Sequence, residues 1–417
     1  MKQIVIIGAG FAGLWSAVAA ARRLEEIGQI AQITLVNLTP YHSIRVRNYE
    51  MDLSDTLIEL NDVLDPIGVD LVVGRVTAID TGARRLTIEQ EGEAVHLDYD
   101  KLILASGSKL SWPDIPGLRD HAFDIDTYAS ANRLHHHLDA LPDLDMRAGQ
   151  FTALVIGSGA TGVELAAELP ARLGPLAARR GAVARVILAD RSGRIAPGLG
   201  GGGPVIERAC NELGVEMLTG VDIIKIDDRG AELGDGSRID ASTIIWCGGM
   251  KADELTHEIA GKRDRAGRLY VDAHMAVEGV PDIFAAGDAA HALIDGERPS
   301  VMSCQHARPM GRYAGANAVN ALYGKPLVPL HIDWYTNIVD LGPWGAVYTQ
   351  GWDRDVVSVG ASAKETKTVI NRVRIYPPRN GQRDAILAGG TIALERPPVL
   401  QPLAVDDIEI SAWEAVA

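Results

Sequence analysis

Two glycine triplets with the same spacing stand 149 positions apart, Gly8-Ala9-Gly10-Phe11-Ala12-Gly13 and Gly157-Ser158-Gly159-Ala160-Thr161-Gly162. The G-x-G-x-x-G spacing suits gripping a pyrophosphate. Gly8 and Gly157 permit the tight bend, Gly10 and Gly159 let backbone approach the phosphates, and Gly13 and Gly162 let a helix pack against a strand. Asp190 stands where an acid accepts hydrogen bonds from an adenosine ribose. Its charge would repel a 2′-phosphate and so favours NADH over NADPH, a preference that Arg191 and Arg194 nearby soften. The matching position after the first triplet carries Asn37, an amide that takes a ribose hydrogen bond without charge.

These residues need particular elements around them. Ile4-Val5-Ile6-Ile7 before the first triplet reads as a buried parallel strand, and an Ala- and Leu-rich stretch ending near Gly28 reads as a helix. Free N–H groups and the positive end of that helix then face the phosphates. Residues 31–37 form the second strand. The pattern repeats with Ala153-Leu154-Val155-Ile156, the helix from Val163 to Leu169, and a strand over 183–189. Two such units are far stronger evidence than one, because chance must supply strand, turn, helix and spacing twice.

Other stretches fill in the organisation. Residues 69–97 alternate with turns at Thr81-Gly82 and Glu91-Gly92, which predicts a small antiparallel insert. Leu102-Ile103-Leu104 is another buried strand, and Ile115-Pro116-Gly117 marks a crossing between domains. Residues 198–203, nearly all glycine, read as a flexible surface loop before a helix over 204–213. Ile283-Phe284-Ala285 reaches a Gly287-Asp288 turn, whose carboxylate could accept from polyol hydroxyls or simply cap a helix. From about Pro326 the composition becomes aromatic and strand-like, with a helix over 362–373, predicting a small α+β unit. Trp334, Trp344 and Trp352 there are core residues by default or else cover a flavin. Arg45 and Arg47 are either ordinary loop residues or neighbours of cofactor phosphates or ring.

Composition excludes several classes. A chain of 417 residues with 47% hydrophobic content folds as two or three globular domains. A net charge of −15 argues against nucleic acid and against charge-driven docking on an anionic membrane. Cys210, Cys247 and Cys304 form no C-x-x-C pair, which excludes dithiol chemistry of the thioredoxin-reductase kind. His135, His136 and His137 are consecutive on a helix, so they cannot converge on one metal and read as a solvated face. No metal is expected. No signal peptide is expected before Ile4, and no apolar run reaches the ~18 residues of a bilayer span.

Residues 1–28, Ala105-Ser106-Gly107-Ser108, Ile115-Pro116-Gly117, 157–169 and 284–288 together resemble the two-dinucleotide flavoprotein reductases. Within them the chain is most similar to type II NADH:quinone oxidoreductases, through Thr161-Gly162-Val163-Glu164-Leu165-Ala166 and Ser303-Cys304-Gln305-His306-Ala307. The resemblance spans roughly residues 1–325. It implies an α/β chain with two Rossmann-like domains plus a small α+β C-terminal domain. An FAD-binding domain would take 1–117 and 251–325, an NAD(P)H-binding domain 118–250, and the C-terminal domain 326–417. Gly8, Gly10, Gly13, Asn37, Arg45, Gly107, Gly287 and Asp288 would bind FAD, with Asp288 on the ribityl chain. Gly157, Gly159, Gly162 and Asp190 would bind NADH, and Glu164 would stand near the nicotinamide, unless it is a helix-start charge favoured by the dipole.

Two departures bear on the electron acceptor. The family's A-Q-x-A-x-Q quinone pattern is here Cys304-Gln305-His306-Ala307-Arg308-Pro309, so Gln305 matches and Pro309 replaces the second glutamine. Residues 408–417 are short and acidic, without the basic face of a membrane-binding amphipathic helix. The expected activity is hydride transfer from NADH to FAD and onward electron transfer to a quinone or quinone-like acceptor. The alternatives are a reductase of a small redox protein and a nucleotide-binding redox sensor. The expected location is the cytoplasm, with peripheral contact at the inner membrane face at most, and a homodimer is an open assembly.

Overall fold

The computed structural model describes residues 1–379, 381–394 and 396–398; the acidic stretch 408–417 lies outside them. The β-branched run after Lys2 forms β1 (Gln3–Ile7), and the glycine turn delivers the chain into α1 (Phe11–Glu26). β2 (Gln32–Asn37), β3 (Asp70–Val73) and β4 (Lys101–Leu104) follow. The second unit comprises β5 (Thr152–Ile156), α2 (Ala160–Ala178), β6 (Arg185–Asp190), β7 (Val215–Thr219) and β8 (Thr243–Trp246). β9 (Ile283–Ala285) and α3 (Cys304–Leu322) come next. Last are β10 (Thr336–Asp340), β11 (Ala346–Gln350), β12 (Asp355–Val359) and α4 (Gly360–Val369).

The strands named so far form two parallel sheets and a smaller antiparallel one, beside other small sheets. The first has the order β9-β4-β1-β2-β3, and the second β7-β6-β5-β8. In each, the strand before the glycine turn lies inside its sheet, flanked by parallel neighbours. Being covered on both faces, these strands carry continuous apolar runs, and Ile4, Val5 and Ile6 have no exposed surface. The fold is therefore α/β with two Rossmann-like sheets. The third sheet, β10-β11-β12, is antiparallel and packs against α4.

α1 and α3 cross at very short range. A Cβ on Gly311 would lie 2.2 Å from the Ala12 carbonyl oxygen, and one on Gly315 2.1 Å from that of Ser16. Ser16 Oγ donates to Gly311 O across the crossing at 3.0 Å. This close packing brings the start of α3, which carries Cys304 and Gln305, to the start of α1.

Three expectations from the sequence change. Of residues 69–97, Asp70–Val73 joins the first parallel sheet, and the antiparallel insert is Arg75–Asp80, Arg85–Gln90 and Glu93–Asp98. The stretch 198–203 is no flexible loop. Pro197–Gly202 forms two short 3-10 turns kinked at Gly200, Gly203 opens the next helix, and Gly202 is buried against Val347 and Thr349 of β11. The triple-histidine face is only partly solvated: His136 is exposed, but His137 Nε2 pairs with Thr243 Oγ1 at 3.0 Å. Among the described residues no cluster could hold a metal ion.

Candidate active site

The two glycine turns have the same stereochemistry. A Cβ on Gly8 (φ +94°) would lie 2.5 Å from Ala105 O, and one on Gly13 would lie 1.7 Å from Gly8 O. In the second turn, a Cβ on Gly157 (φ +106°) meets the Cys247 carbonyl at 3.1 Å, and one on Gly162 meets Gly157 O at 1.9 Å. By contrast, a Cβ on Gly10 or Gly159 meets nothing within 4 Å. The outer glycines are dictated by packing, whereas the middle one borders open space at a helix N-terminus. That is the arrangement a pyrophosphate requires. Beside the first turn, Ser106 Oγ and His42 Nε2 are buried without a protein partner, while His42 Nδ1 donates to Ala9 O at 2.7 Å. A cofactor bearing hydrogen-bonding groups fits this setting. Burial lowers the His42 pKa to about 4.

Asn37 and Asp190 occupy equivalent places at the ends of β2 and β6. Asn37 Oδ1 accepts from Ala9 N at 3.0 Å, and its Nδ2 donates to Thr39 O and Tyr41 O. Asp190 Oδ2 accepts from both the backbone N (2.8 Å) and Oγ (2.6 Å) of Ser158, and Oδ1 accepts from Ser192 N. Burial raises the Asp190 pKa, but hydrogen bonds from Ser158 and Ser192 outweigh it and hold the group below the usual aspartate value.

Arg45, Asp288 and Gly107 meet near the end of β4. Ser108 Oγ donates to Asp288 Oδ2 at 2.6 Å, and Arg45 Nη1 donates to Ser108 O and Oγ, both at 3.2 Å. Arg45 also forms an ion pair with Asp126. Gly107 (φ +74°) turns the chain there, and its carbonyl accepts from Asp253 N. Gly287 (φ +69°) packs against Ala12 and Ala307, which seats Asp288 between the starts of α1 and α3. Burial raises the Asp288 pKa. Arg47 lies elsewhere, fully buried and bonded to Glu50, Asp55 and Tyr376, so its part is structural.

Glu164 and Gln305 both engage the C-terminal sheet. Glu164 is buried and pairs with Lys367 Nζ of α4 at 2.5 Å, and its Oε1 accepts from Asp340 N at 3.1 Å. Burial raises the Glu164 pKa despite the attraction of Lys367. Burial disfavours the Lys367 ammonium, yet the carboxylate beside it lifts its pKa above the ordinary lysine value. Asp340 continues the cluster, accepting from Tyr49 OH and pairing with Lys364 at 2.5 Å. Glu164 lies just beyond the first turn of α2 and is one half of a buried ion pair. Gln305 Nε2 donates to Thr336 O at 2.6 Å and its Oε1 accepts from Thr336 N at 3.1 Å. Its amide is thus a clasp on β10.

The sequence reading missed Lys367, Asp340 and Tyr49. Nothing local marks them, since Lys367 lies 203 positions from Glu164 and only the tertiary fold joins them. Trp334, Trp344 and Trp352 are half-buried against the edge of the core and not inside it: Trp352 stacks on Tyr335 at 4.7 Å, and Trp344 Nε1 donates to Glu212 at 2.7 Å. All three cysteines are free.

Two parallel sheets, each with a phosphate-shaped turn, define a two-dinucleotide reductase class. The model of the pyridine nucleotide-disulphide oxidoreductase family matches residues 2–311. The chain is 48% identical over 403 residues to an NADH dehydrogenase-like protein of Mycobacterium tuberculosis, covering 95% of this chain and 100% of the relative. It is 26% identical over 345 residues to the type II NADH:quinone oxidoreductase of Staphylococcus saprophyticus, covering 78% and 84%. In fold it resembles the NDH2 of Plasmodium falciparum in complex with NADH, with TM-score 0.75, 13% identity, and 93% and 97% coverage. The chain belongs to the pyridine nucleotide-disulphide oxidoreductase family, and is an FAD-dependent NAD(P)H oxidoreductase. No helix among the described residues is long and apolar enough to cross a membrane.

Proposed function

We propose that the chain is an NADH dehydrogenase that keeps FAD at the first glycine turn, takes NADH at the second, and reduces a quinone-class acceptor. The observation that carries this reading is the duplicated turn, open at Gly10 and Gly159, with an ionised Asp190 ending β6. A carboxylate there repels a 2′-phosphate, which favours NADH over NADPH. The division into 1–117 with 251–325, 118–250 and 326–417 belongs to the same reading. So do a cytoplasmic location, peripheral contact at the inner membrane face, and a homodimer.

Bound FAD would supply hydride acceptance and onward electron transfer. Gly8, Gly10 and Gly13 would seat its pyrophosphate, Asn37 its ribose, and Asp288 its ribityl chain, with Arg45 and Gly107 holding Asp288's surroundings through Ser108. Gly157, Gly159, Gly162 and Asp190 would orient NADH so that donor and acceptor atoms meet at ~3–3.5 Å. Glu164, fixed by Lys367, would face the nicotinamide, and the pair could hold or give up a proton as charge moves nearby.

A second reading, reduction of a small redox protein, is favoured by Gln305, whose amide is spent on Thr336 in a motif already lacking its second glutamine. Steady-state turnover with NADH and a short-chain quinone, a ferredoxin or oxygen separates the two. The quinone reading expects the quinone to be fastest, and it falls if the ferredoxin is.

A further inference from the structure

The duplicated turn contains its own control. The residue between the first two glycines is Ala9 in one unit and Ser158 in the other. Both backbone amides donate to the residue ending the second strand, at 3.0 Å to Asn37 and 2.8 Å to Asp190. Only Ser158 adds a hydroxyl. That Oγ is buried, donates to Asp190 Oδ2 at 2.6 Å, and accepts from Ala196 N at 2.9 Å. It therefore ties the acid to the segment leading into the glycine-rich 3-10 turn (Pro197–Gly202).

A carboxylate accepts about four hydrogen bonds. At least three are filled on Asp190, two of them on Oδ2. One ribose hydroxyl can be accepted on Oδ1 once the half-buried Ser192 hydroxyl, which also bonds Asp190, turns away. A ribose gripped through both its hydroxyls needs a place on Oδ2 as well. The Ser158 amide is fixed by the turn, but the hydroxyl can rotate away, so the hydroxyl is what must yield. We propose that Ser158 is a specificity-determining positioning residue whose hydroxyl competes with an adenosine-ribose hydroxyl for Asp190, loosening the hold on the dinucleotide. Such loosening suits the second site, which must release its nucleotide in every cycle, whereas the first, with alanine, holds its ligand through many. The inference rests on the assignment of Asp190 to the NADH ribose.

The test is calorimetric titration of the FAD-loaded protein with NAD+ and with its 2′-deoxyadenosine analogue, which has one ribose hydroxyl fewer. Removing one competing hydrogen bond corresponds to about a two- to tenfold change in Kd. Ser158→Ala is expected to tighten NAD+ by that factor and to leave the analogue unchanged. Weaker or unchanged NAD+ binding, or equal tightening of both ligands, overturns the proposal. Because Ser158→Ala strands the Ala196 amide, Ser158→Cys, which keeps the side chain's size but donates weakly, is judged by the same criteria should the alanine variant not fold. Asp190→Ala separates the premises. Wild-type NAD+ affinity in that variant removes the ribose assignment itself. Weakened affinity there, with no effect at Ser158, removes the competition alone.

Discussion

At the scale of single residues, the chemistry concentrates on groups whose charge is bought out of water only with a partner. Glu164 and Lys367 illustrate this: each is buried, and each is held by the other. Glu164→Gln keeps the shape but leaves Lys367 buried without its anion, so it should slow reduction by NADH about tenfold or more and also destabilise the fold by about 3–5 kcal/mol. Stopped-flow absorbance and a melting curve test the two halves. Wild-type reduction rates would remove Glu164 from the reaction. Lys367→Met leaves Glu164 buried without its cation, and should destabilise by about 3–5 kcal/mol in denaturant titrations. His42 and His306 are both fully buried with pKa lowered to about 4, chiefly by burial. Between pH 6.5 and 4 the unfolded chain binds the protons that the folded one refuses, so stability is intact above pH 6.5 and falls with pH. The loss is about 2 kcal/mol per histidine by pH 5. Urea unfolding at pH 7 and pH 5 measures it, and His306→Gln should reduce the difference by one such increment.

At the scale of elements, the glycine positions divide into two kinds. A side chain at Gly13 would collide with the Gly8 carbonyl, whereas one at Gly10 enters open space. Gly13→Val should therefore disrupt the packing of β1 on α1 and yield little folded protein. Gly10→Leu should fold with wild-type circular dichroism but purify without flavin. Equal flavin content in Gly10→Leu and wild type would refute the cradle. These strand-turn-helix units were legible in the sequence because spacing, apolar runs and glycine stereochemistry are all local. The glycines of 198–203 were misread for the converse reason. Backbone freedom marks a loop only when nothing packs on it, and the surface that does so, β11 with the Asp353-Arg354 turn, lies about 150 residues away. Lys367, Asp340 and Tyr49 were hidden in the same way, since only tertiary contact makes them part of the Glu164 cluster.

At the scale of the whole molecule, two parallel sheets each present a phosphate-shaped turn, and a small antiparallel sheet clamps the chain through Gln305 and Glu164. In the proposed reading Asp190 sets the donor. NADPH should be used with a kcat/KM at least tenfold below that of NADH, and Asp190→Ser should narrow the gap. Equal use of both nucleotides by the wild type would contradict that assignment. The central claim, a seated flavin reduced by a visiting NADH, is tested most directly by the visible absorption spectrum of the purified protein before and after anaerobic NADH. The account predicts a yellow protein whose flavin absorption, supplied by the cofactor itself, bleaches on mixing. A colourless protein that takes up no added FAD, or a yellow one that NADH leaves unbleached, would contradict it.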